Sequence, residues 1–187
     1  AKGGNHTVDV RNTGSGDTTV TLYGAVLIAV NEDASRPAIT YWIAEGCDAI
    51  RADPDEGVLE DAATTEAEFA EDVSGDIAEA RLTIIATAAT GTDERVNRIL
   101  MNEGEWDNHL DGGTDSISIV GIDVRPYLKQ SGNHAEVRSI PVQETGDYLE
   151  VRHAILVLAE GMAGAEPAGN ATPTGTPTPP ATAVETT

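Results

Sequence analysis

The chain has 187 residues, of which 32 are acidic and 11 are basic, and its formal net charge at pH 7 is -21. So large a negative charge repels nucleic acid and anionic lipid surfaces, and we expect neither as a partner. The carboxylates are spread along the whole chain. This is typical of a surface adapted to a hypersaline setting, where the Debye length falls to about 3 Å in molar salt and repulsion is screened.

The single cysteine, Cys47, excludes an intrachain disulfide. It lies between Glu45 and Asp48, whose charges disfavour a thiolate, so we expect a small buried residue beside a glycine turn and not a nucleophile. No run of 18 apolar residues is present, so no membrane span is expected in this segment. The chain begins with Ala1 and has no signal-peptide pattern, which predicts a mature or excised segment of a longer protein.

Alternation and β-branched residues predict a series of short strands. They are Ala25–Val30, Ala38–Ile43, Ala67–Phe69, Ala78–Ala88, Val96–Asn102 and Ile117–Val120. The polar, glycine-containing stretch Glu103–Asp115 is expected to be a loop. A short helical turn is predicted near Asp123–Lys129, because Asp123 can cap it and Pro126 fits its first turn. The pattern as a whole predicts an all-β protein.

An internal repeat connects the two ends of this strand series. Gly4–Glu32 and Gly132–Glu160 both open on GNH and end on an apolar strand, Ala25–Val30 or Ala154–Ala159. We predict that each copy is the closing hairpin of a domain-sized unit. Residues 1–33 would then belong to an incomplete N-terminal unit, and residues 34–161 would form a complete β-sandwich. The isolated first hairpin would need a partner, so it offers a route to self-association.

After Glu160 the composition changes to Ala, Gly, Thr and Pro, so residues 162–187 are predicted to be a disordered linker or stalk. Two N-x-Thr sequons, at Asn5 and Asn170, are candidate glycosylation sites.

Two further features could belong to a binding site. Trp106 and, more weakly, Trp42 are candidates for stacking on a sugar, and a tryptophan in such a loop can equally close one end of a sandwich. Asp53 and Asp55 precede Gly57 in a sequence that faintly resembles a calcium loop. The other ligands of that pattern do not fall into place, and a solvated acidic loop is the alternative. Ca²⁺ is thus the one cofactor to consider, and otherwise none is expected.

A family resemblance rests on several segments: LYGAVLIAVNED, AITYWIAEGCDAI, ILMNEG, DVRPYL, GNHAEVR and GDYLEVRHAILVLAE, followed by the Thr/Pro tail. Over about Leu22–Glu160 the chain resembles DUF3344, an archaeal family of secreted and cell-surface proteins of unknown function. The resemblance implies a methanogen or halophile source and supplies no catalytic residues. Asp123–Asn133 also resembles a portion of jelly-roll modules of the galactose-binding type. That similarity implies an antiparallel β-sandwich of jelly-roll type.

Together these observations predict a non-enzymatic structural or adhesion domain, extracellular or at the cell surface, of a halophilic archaeon. The alternative is a carbohydrate- or Ca²⁺-binding module of a larger surface protein, and glycans or other surface proteins would be its partners. A hydrolase is disfavoured because the four histidines are scattered and no paired-carboxylate or nucleophile motif is present.

Overall fold

Eight β-strands make up the structure, a computed structural model that describes residues 24–142 and 145–161, together with residues 7, 9–11, 13–16 and 22. The strands are β1 (Ile39–Ile50), β2 (Thr64–Phe69), β3 (Ile77–Thr87), β4 (Val96–Met101), β5 (Gly104–Asp107), β6 (Ile117–Asp123), β7 (Asn133–Ile140) and β8 (Leu149–Glu160). Short 3₁₀ turns lie at Pro54–Glu56, Glu60–Ala63 and Arg125–Tyr127. Within the described ranges, no helix is long and apolar enough to cross a bilayer.

The strands form two four-stranded sheets. The first sheet has the order β1-β8-β3-β6 and the second has the order β2-β7-β4-β5. All ladders are antiparallel, and four of them pair β1 with β8, β2 with β7, β3 with β6 and β4 with β5. Wrapping one long hairpin into two facing sheets produces this set of pairs, which is the jelly-roll arrangement. The predicted antiparallel β-sandwich is therefore confirmed.

The core lies between the sheets because the strands bury alternate residues. In β7 the inward positions are Asn133, Ala135, Val137 and Ser139, and the residues between them are partly exposed. On the opposite sheet the core is filled mainly by aliphatic side chains of β3 and β8, including Leu82, Ile84, Leu156 and Leu158. Strands β3 and β8 are the two central strands of the first sheet, so they contribute the most continuous apolar surface.

The predicted closing hairpin at Gly132–Glu160 is wrong in its pairing. Strand β7 pairs with β2 and β4 in the second sheet, whereas β8 pairs with β1 and β3 in the first. The connection between β7 and β8 therefore passes from one sheet to the other. Local alternation identifies both strands, but the identity of a strand's neighbour depends on contacts distant in sequence.

The apolar segment at the N-terminal end also differs from its prediction, because Ala25–Val30 forms no strand and is exposed. Gly24 lies against the side chain of Ile117 in β6, and the residues from Ile28 to Asn31 lie over β1 and β8. The segment thus crosses the outer face of the first sheet, where no strand edge is available for a ladder. The rest of the predicted N-terminal hairpin and residues 162–187 lie largely or wholly outside the described residues, and the proposed division of the chain stays a prediction.

One strand is longer than predicted, and one strand was not predicted at all. Strand β1 continues past Ile43 to Ile50, and β5 lies inside the stretch Glu103–Asp115 that was expected to be a loop. Strand β5 has only four residues and is held by its ladder with β4, in which Trp106 lies opposite Ile99. A strand this short carries almost no periodic signal of its own.

The predicted turn near Asp123–Lys129 is present as the 3₁₀ turn Arg125–Tyr127. The Asp123 carboxylate accepts a hydrogen bond from the backbone N–H of Arg125 at 3.1 Å, and Pro126 lies in the first turn as expected. The segment Asp123–Asn133 ends on Asn133. The side-chain oxygen of Asn133 accepts from the Lys129 N–H, and its NH₂ group donates to the Lys129 carbonyl, both at 2.8 Å. The asparagine of the GNH sequence is therefore a buried clamp that fixes the start of β7.

A buried polar network ties the connections at one end of the sandwich together. The Asp147 carboxylate accepts hydrogen bonds from the backbone of Thr90 and Gly91 at 3.0 and 3.1 Å, and from the side-chain amide of Asn97 at 2.8 Å. The Ser139 hydroxyl donates to the backbone carbonyl of Asp147 at 2.7 Å. We call these five residues the Asp147 network. It joins segments before β8, after β3 and in β4 that are far apart in sequence.

An ion pair on the outer face of the second sheet gives a pH-dependent contribution to stability. The Arg98 Nε donates to Asp107 Oδ1 at 2.6 Å, and its Nη2 lies 2.9 Å from Glu105. The hydrogen bond from Arg98 lowers the pKa of Asp107, and partial burial opposes that shift. A lowered carboxyl pKa stabilises the fold above the unfolded value of about 3.9, and this contribution disappears as pH falls through the folded value.

We expect Arg98→Met to lower the free energy of unfolding by about 0.5 kcal/mol at pH 7 in dilute buffer, since the pair is partly exposed. The difference from wild type should shrink as pH falls through the lowered pKa of folded Asp107, because the carboxyl is then protonated in both states. Urea unfolding at pH 7 and at falling pH measures both quantities. Arg95→Met is the control, because the exposed Arg95 has no ion pair among the described residues. An equal loss at pH 7 for both variants would contradict the assignment.

Candidate functional site

A β-bulge interrupts β1 at the EGCD sequence. Glu45 lies opposite His153 and Asp48 lies opposite Val151, so Gly46 and Cys47 together face the single residue Arg152. A bulge bends its strand and redirects the side chains beside it, and bulges are common next to functional sites. The bulge places a thiol, two carboxylates, a guanidinium and an imidazole close together at the edge of the first sheet.

A small cleft of about 60 Å³ lies beside this bulge, where the edge strands β1 and β2 of the two sheets approach each other. Its polar lining includes Glu45, Asp48, Thr65, Arg152 and His153, and apolar residues such as Ile84 and Val137 complete its lining. We call it the bulge cleft. Its volume suits one or two water molecules or one small functional group of a larger ligand.

Most polar groups of the bulge cleft are bound by neighbouring side chains. The Thr65 hydroxyl donates to the Asp48 carboxylate at 2.5 Å, and the Arg152 guanidinium donates to the Glu150 carboxylate and to Cys47 Sγ. His153 Nε2 lies 3.9 Å from Glu45, whereas His153 Nδ1 is buried and has no hydrogen-bond partner in the described part of the chain. The assigned orientation of the imidazole ring decides which ring atom lies at this buried position. The unpaired Nδ1 atom is therefore not evidence of a bound ligand.

Cys47 is exposed, so the expectation of a buried residue is wrong. The one extra residue of the bulge turns the thiol out of the sandwich toward Arg152. Among the described residues no histidine contacts the thiol, and general-base activation needs such a contact. The arrangement therefore provides a surface thiol beside a cation, without the partner that a cysteine nucleophile uses.

The second notable feature is an area rich in exposed apolar side chains on the outside of the first sheet, which we call the apolar face. It comprises the exposed residues Val26, Leu27, Ile28, Val30, Ile39, Tyr41, Ile43 and Ile119, with Ile155 and Val157 partly exposed among them. An open apolar groove of about 190 Å³ runs between residues 28–31 and strands β1 and β8 within it. Large apolar patches of this kind commonly mark an interaction surface.

The two tryptophans that were predicted to stack on ligands both take part in packing. Trp42 lies on the inward side of β1, with its ring centroid 6.4 Å from that of the buried Phe69. Trp106 lies on the edge strand β5 and packs edge-to-face on Tyr127 at 5.4 Å. Gly104 makes this pair possible, because a Cβ there would lie 2.5 Å from the Trp106 ring. A ligand-stacking role for either tryptophan stays a prediction.

The predicted calcium loop is a compact turn. Asp53 and Val58 exchange two backbone hydrogen bonds, at 2.8 and 2.9 Å, and Gly57 closes the turn with a φ of +79°. The Asp53 carboxylate accepts from the N–H of Glu56 and lies 3.7 Å from Arg51, while Asp55 is exposed. No group of three or more potential metal-ligating side chains occurs in the described part of the chain. The structure brings neither aspartate near a further ligand set.

The glycosylation candidates Asn5 and Asn170 lie outside the described residues. Asn133 is the counterpart of Asn5 in the second copy of the repeat. It is buried, and both the oxygen and the NH₂ group of its side-chain amide are hydrogen-bonded. An asparagine in that setting cannot carry a sugar. Occupancy at Asn5 would therefore require that the first copy does not form the same clamp.

The model for the protein of unknown function DUF3344 matches residues 1–159. The chain belongs to the DUF3344 family. Comparison with curated proteins found no match. Among solved structures, an exo-β-1,3-galactanase from Phanerochaete chrysosporium with galactose is similar at 13% identity and a TM-score of 0.33, over 64% of this chain and 29% of that one.

The sequence of this DUF3344 chain indicated only part of the bulge cleft and only part of the apolar face. Glu45, Cys47 and Asp48 stand together in the sequence, but Thr65, Arg152 and His153 reach the bulge cleft from other strands. The apolar face was missed because the run of apolar residues from Gly24 to Val30 predicts a buried strand. The alternation of Ile39, Tyr41 and Ile43 is a usable signal, since Trp42 already occupies the opposite, inward side.

Proposed function

We propose that this DUF3344 chain is a non-enzymatic structural or adhesion domain, extracellular or at the cell surface, of a halophilic archaeon. The observation that carries the proposal is the hydrogen bonding around the bulge cleft, where Asp48 is bound by the Thr65 hydroxyl and Arg152 is bound by Glu150 instead of converging on a vacant point. A catalytic centre needs a nucleophile or base directed at substrate, with a pKa tuned for that task. The charge of -21 and the Thr/Pro segment support the hypersaline and extracellular parts of the proposal.

The test of location uses the native protein from cells of the source organism. Surface biotinylation followed by mass spectrometry should recover this chain, with a glycan at Asn170 or Asn5. Recovery only from the cytoplasmic fraction, with both asparagines unmodified, would contradict the proposal. A glycan at Asn5 would also show that the first GNH sequence does not form the clamp found at Asn133.

The test of salt adaptation is thermal. Because self-repulsion of the folded state is screened in molar salt, we expect the melting temperature to rise by about 4–8 °C between 0.1 and 2 M NaCl, corresponding to roughly 2 kcal/mol. Calorimetry measures the change, and equal osmolality of sucrose is the control for solvent exclusion. A melting temperature that is independent of NaCl would contradict the salt adaptation.

A second candidate function is a carbohydrate- or Ca²⁺-binding module, and the exposed Tyr127 beside Trp106 is the observation that favours the sugar version. An aromatic ring at the rim of a sandwich can stack on a sugar ring. Glycan-array binding that is lost in Tyr127→Ser, and in Trp106→Ala, would support it, and unaffected binding would exclude this site. Calcium titration by calorimetry tests the ion, and the absence of heat would exclude Asp53 and Asp55 as a calcium site.

A further inference from the structure

The apolar face gathers large exposed apolar side chains on a chain whose net charge is -21, and the exposed Arg81 of β3, opposite Val157, is a charged residue on the same side of the sheet. It also extends beyond one element, since it combines residues of β1, β6 and β8 with the crossing segment Gly24–Asn31. Isolated exposed apolar residues are ordinary, but a contiguous group of this size calls for a partner.

The size of the apolar face matches that of a protein interface. From the exposed fractions of its residues, the accessible area is on the order of 650 Å², compared with about 300–600 Å² for the largest patch of a typical monomer and about 800 Å² per partner in a standard interface. A small ligand would cover only a fraction of it. The area therefore favours a macromolecular partner that presents an equally flat, apolar surface.

The internal repeat shows that the crossing segment has a sequence suited to burial. Its apolar run aligns with β8, so that Leu27 is the counterpart of Leu156. Leu156 is fully buried at the centre of the first sheet, whereas Leu27 is 75% exposed and is the most exposed of the large apolar residues described. The same local sequence is thus covered by other residues in the second copy, whereas in the first copy no described residue covers Leu27.

The apolar face also contains a projection and a recess of compatible size. Leu27 projects from it, and the adjacent groove of about 190 Å³ is lined by Ile28, Val30, Tyr41, Ile43 and Val157 among others. That volume exceeds the roughly 150 Å³ of an engineered apolar cavity that holds a benzene molecule. A surface that carries both a knob and a matching groove can pair with a copy of itself about a two-fold axis.

We propose that the apolar face is a homodimer interface, in which Leu27 of each copy enters the groove of the other. The proposal rests on the proposed function only for the high-salt setting. Two chains of charge -21 repel each other strongly in dilute buffer, and molar salt removes that repulsion while leaving apolar contact intact. The chain should therefore be monomeric at low salt and dimeric at high salt.

The experiment is sedimentation equilibrium of the full 187-residue chain in 0.1 and 3 M NaCl. The expected result is a dimer at 3 M, with the dissociation constant weakened at least about 30-fold by Leu27→Asp. Leu59→Asp is the matched control, because Leu59 is 62% exposed and precedes β2 of the other sheet. It should leave the dissociation constant within about twofold of wild type. Circular dichroism should show both variants folded.

A spin label on Cys47, which is exposed on the same strand as Ile43, provides a second readout. Wild type should give an intermolecular dipolar signal at 3 M NaCl that Leu27→Asp abolishes. A chain that stays monomeric at 3 M NaCl, or equal weakening by Leu27→Asp and Leu59→Asp, would overturn the proposal. If the chain stays monomeric, the apolar face binds a different protein. Either failure would leave the cell-surface location to be decided separately by biotinylation.

Discussion

Asp147→Ala should reduce the free energy of unfolding by about 3–5 kcal/mol, a large part of the stability of a domain this size. The Asp147 side chain is 1% exposed and its carboxylate is the common acceptor for the backbone of Thr90 and Gly91 and the amide of Asn97. Removing it leaves the part-buried N–H groups of Thr90 and Gly91 without this acceptor, and the Asn97 amide keeps only its bond to the Leu110 carbonyl. Each donor left unsatisfied costs about 1–3 kcal/mol. Urea unfolding in 2 M NaCl measures the change.

Two other variants separate this effect from a general effect of charge. Asp115→Ala removes an exposed carboxylate, and its unfolding free energy should stay within about 0.5 kcal/mol of wild type. Asp147→Asn keeps the shape and one acceptor oxygen but directs an NH₂ group at existing donors, so an intermediate loss is expected. If Asp147→Ala were as stable as Asp115→Ala, the network would not hold the end of the sandwich together.

The sequence predicts the strands of this fold better than their arrangement. Of the seven predicted strand segments, all but Ala25–Val30 lie within or overlap observed strands, because alternation and β-branching are local properties. The crossing from β7 to β8 was mistaken for a hairpin, since two strands close in sequence usually pair. Strand β8 lies in the other sheet because it pairs with β1 and β3, which are distant from it along the chain.

The site was less predictable than the fold, for a related reason. The bulge depends on the register between Glu45 and His153, which are far apart in sequence, and register is not encoded in either segment alone. The apolar face was hidden because a run of apolar residues indicates burial without saying what covers it. Leu27 and Leu156 have similar local sequences and opposite exposures, so tertiary context alone distinguishes them.

Leu156→Ala should lower the free energy of unfolding by about 2–5 kcal/mol, because it leaves a cavity between Trp42 and Leu82, the residues opposite it on the two neighbouring strands. Leu27→Ala is the matched comparison. It removes the same atoms from the aligned position of the repeat, where the side chain is exposed, and should cost less than about 0.5 kcal/mol in the monomer at low salt.

In 3 M NaCl, however, Leu27→Ala should lose the stability that dimerisation adds, which depends on protein concentration. Denaturant unfolding at two protein concentrations and both salts measures all three quantities. Equal losses for the two leucines at low salt would mean that the crossing segment is packed as tightly as β8, and would contradict the contrast on which the interface depends.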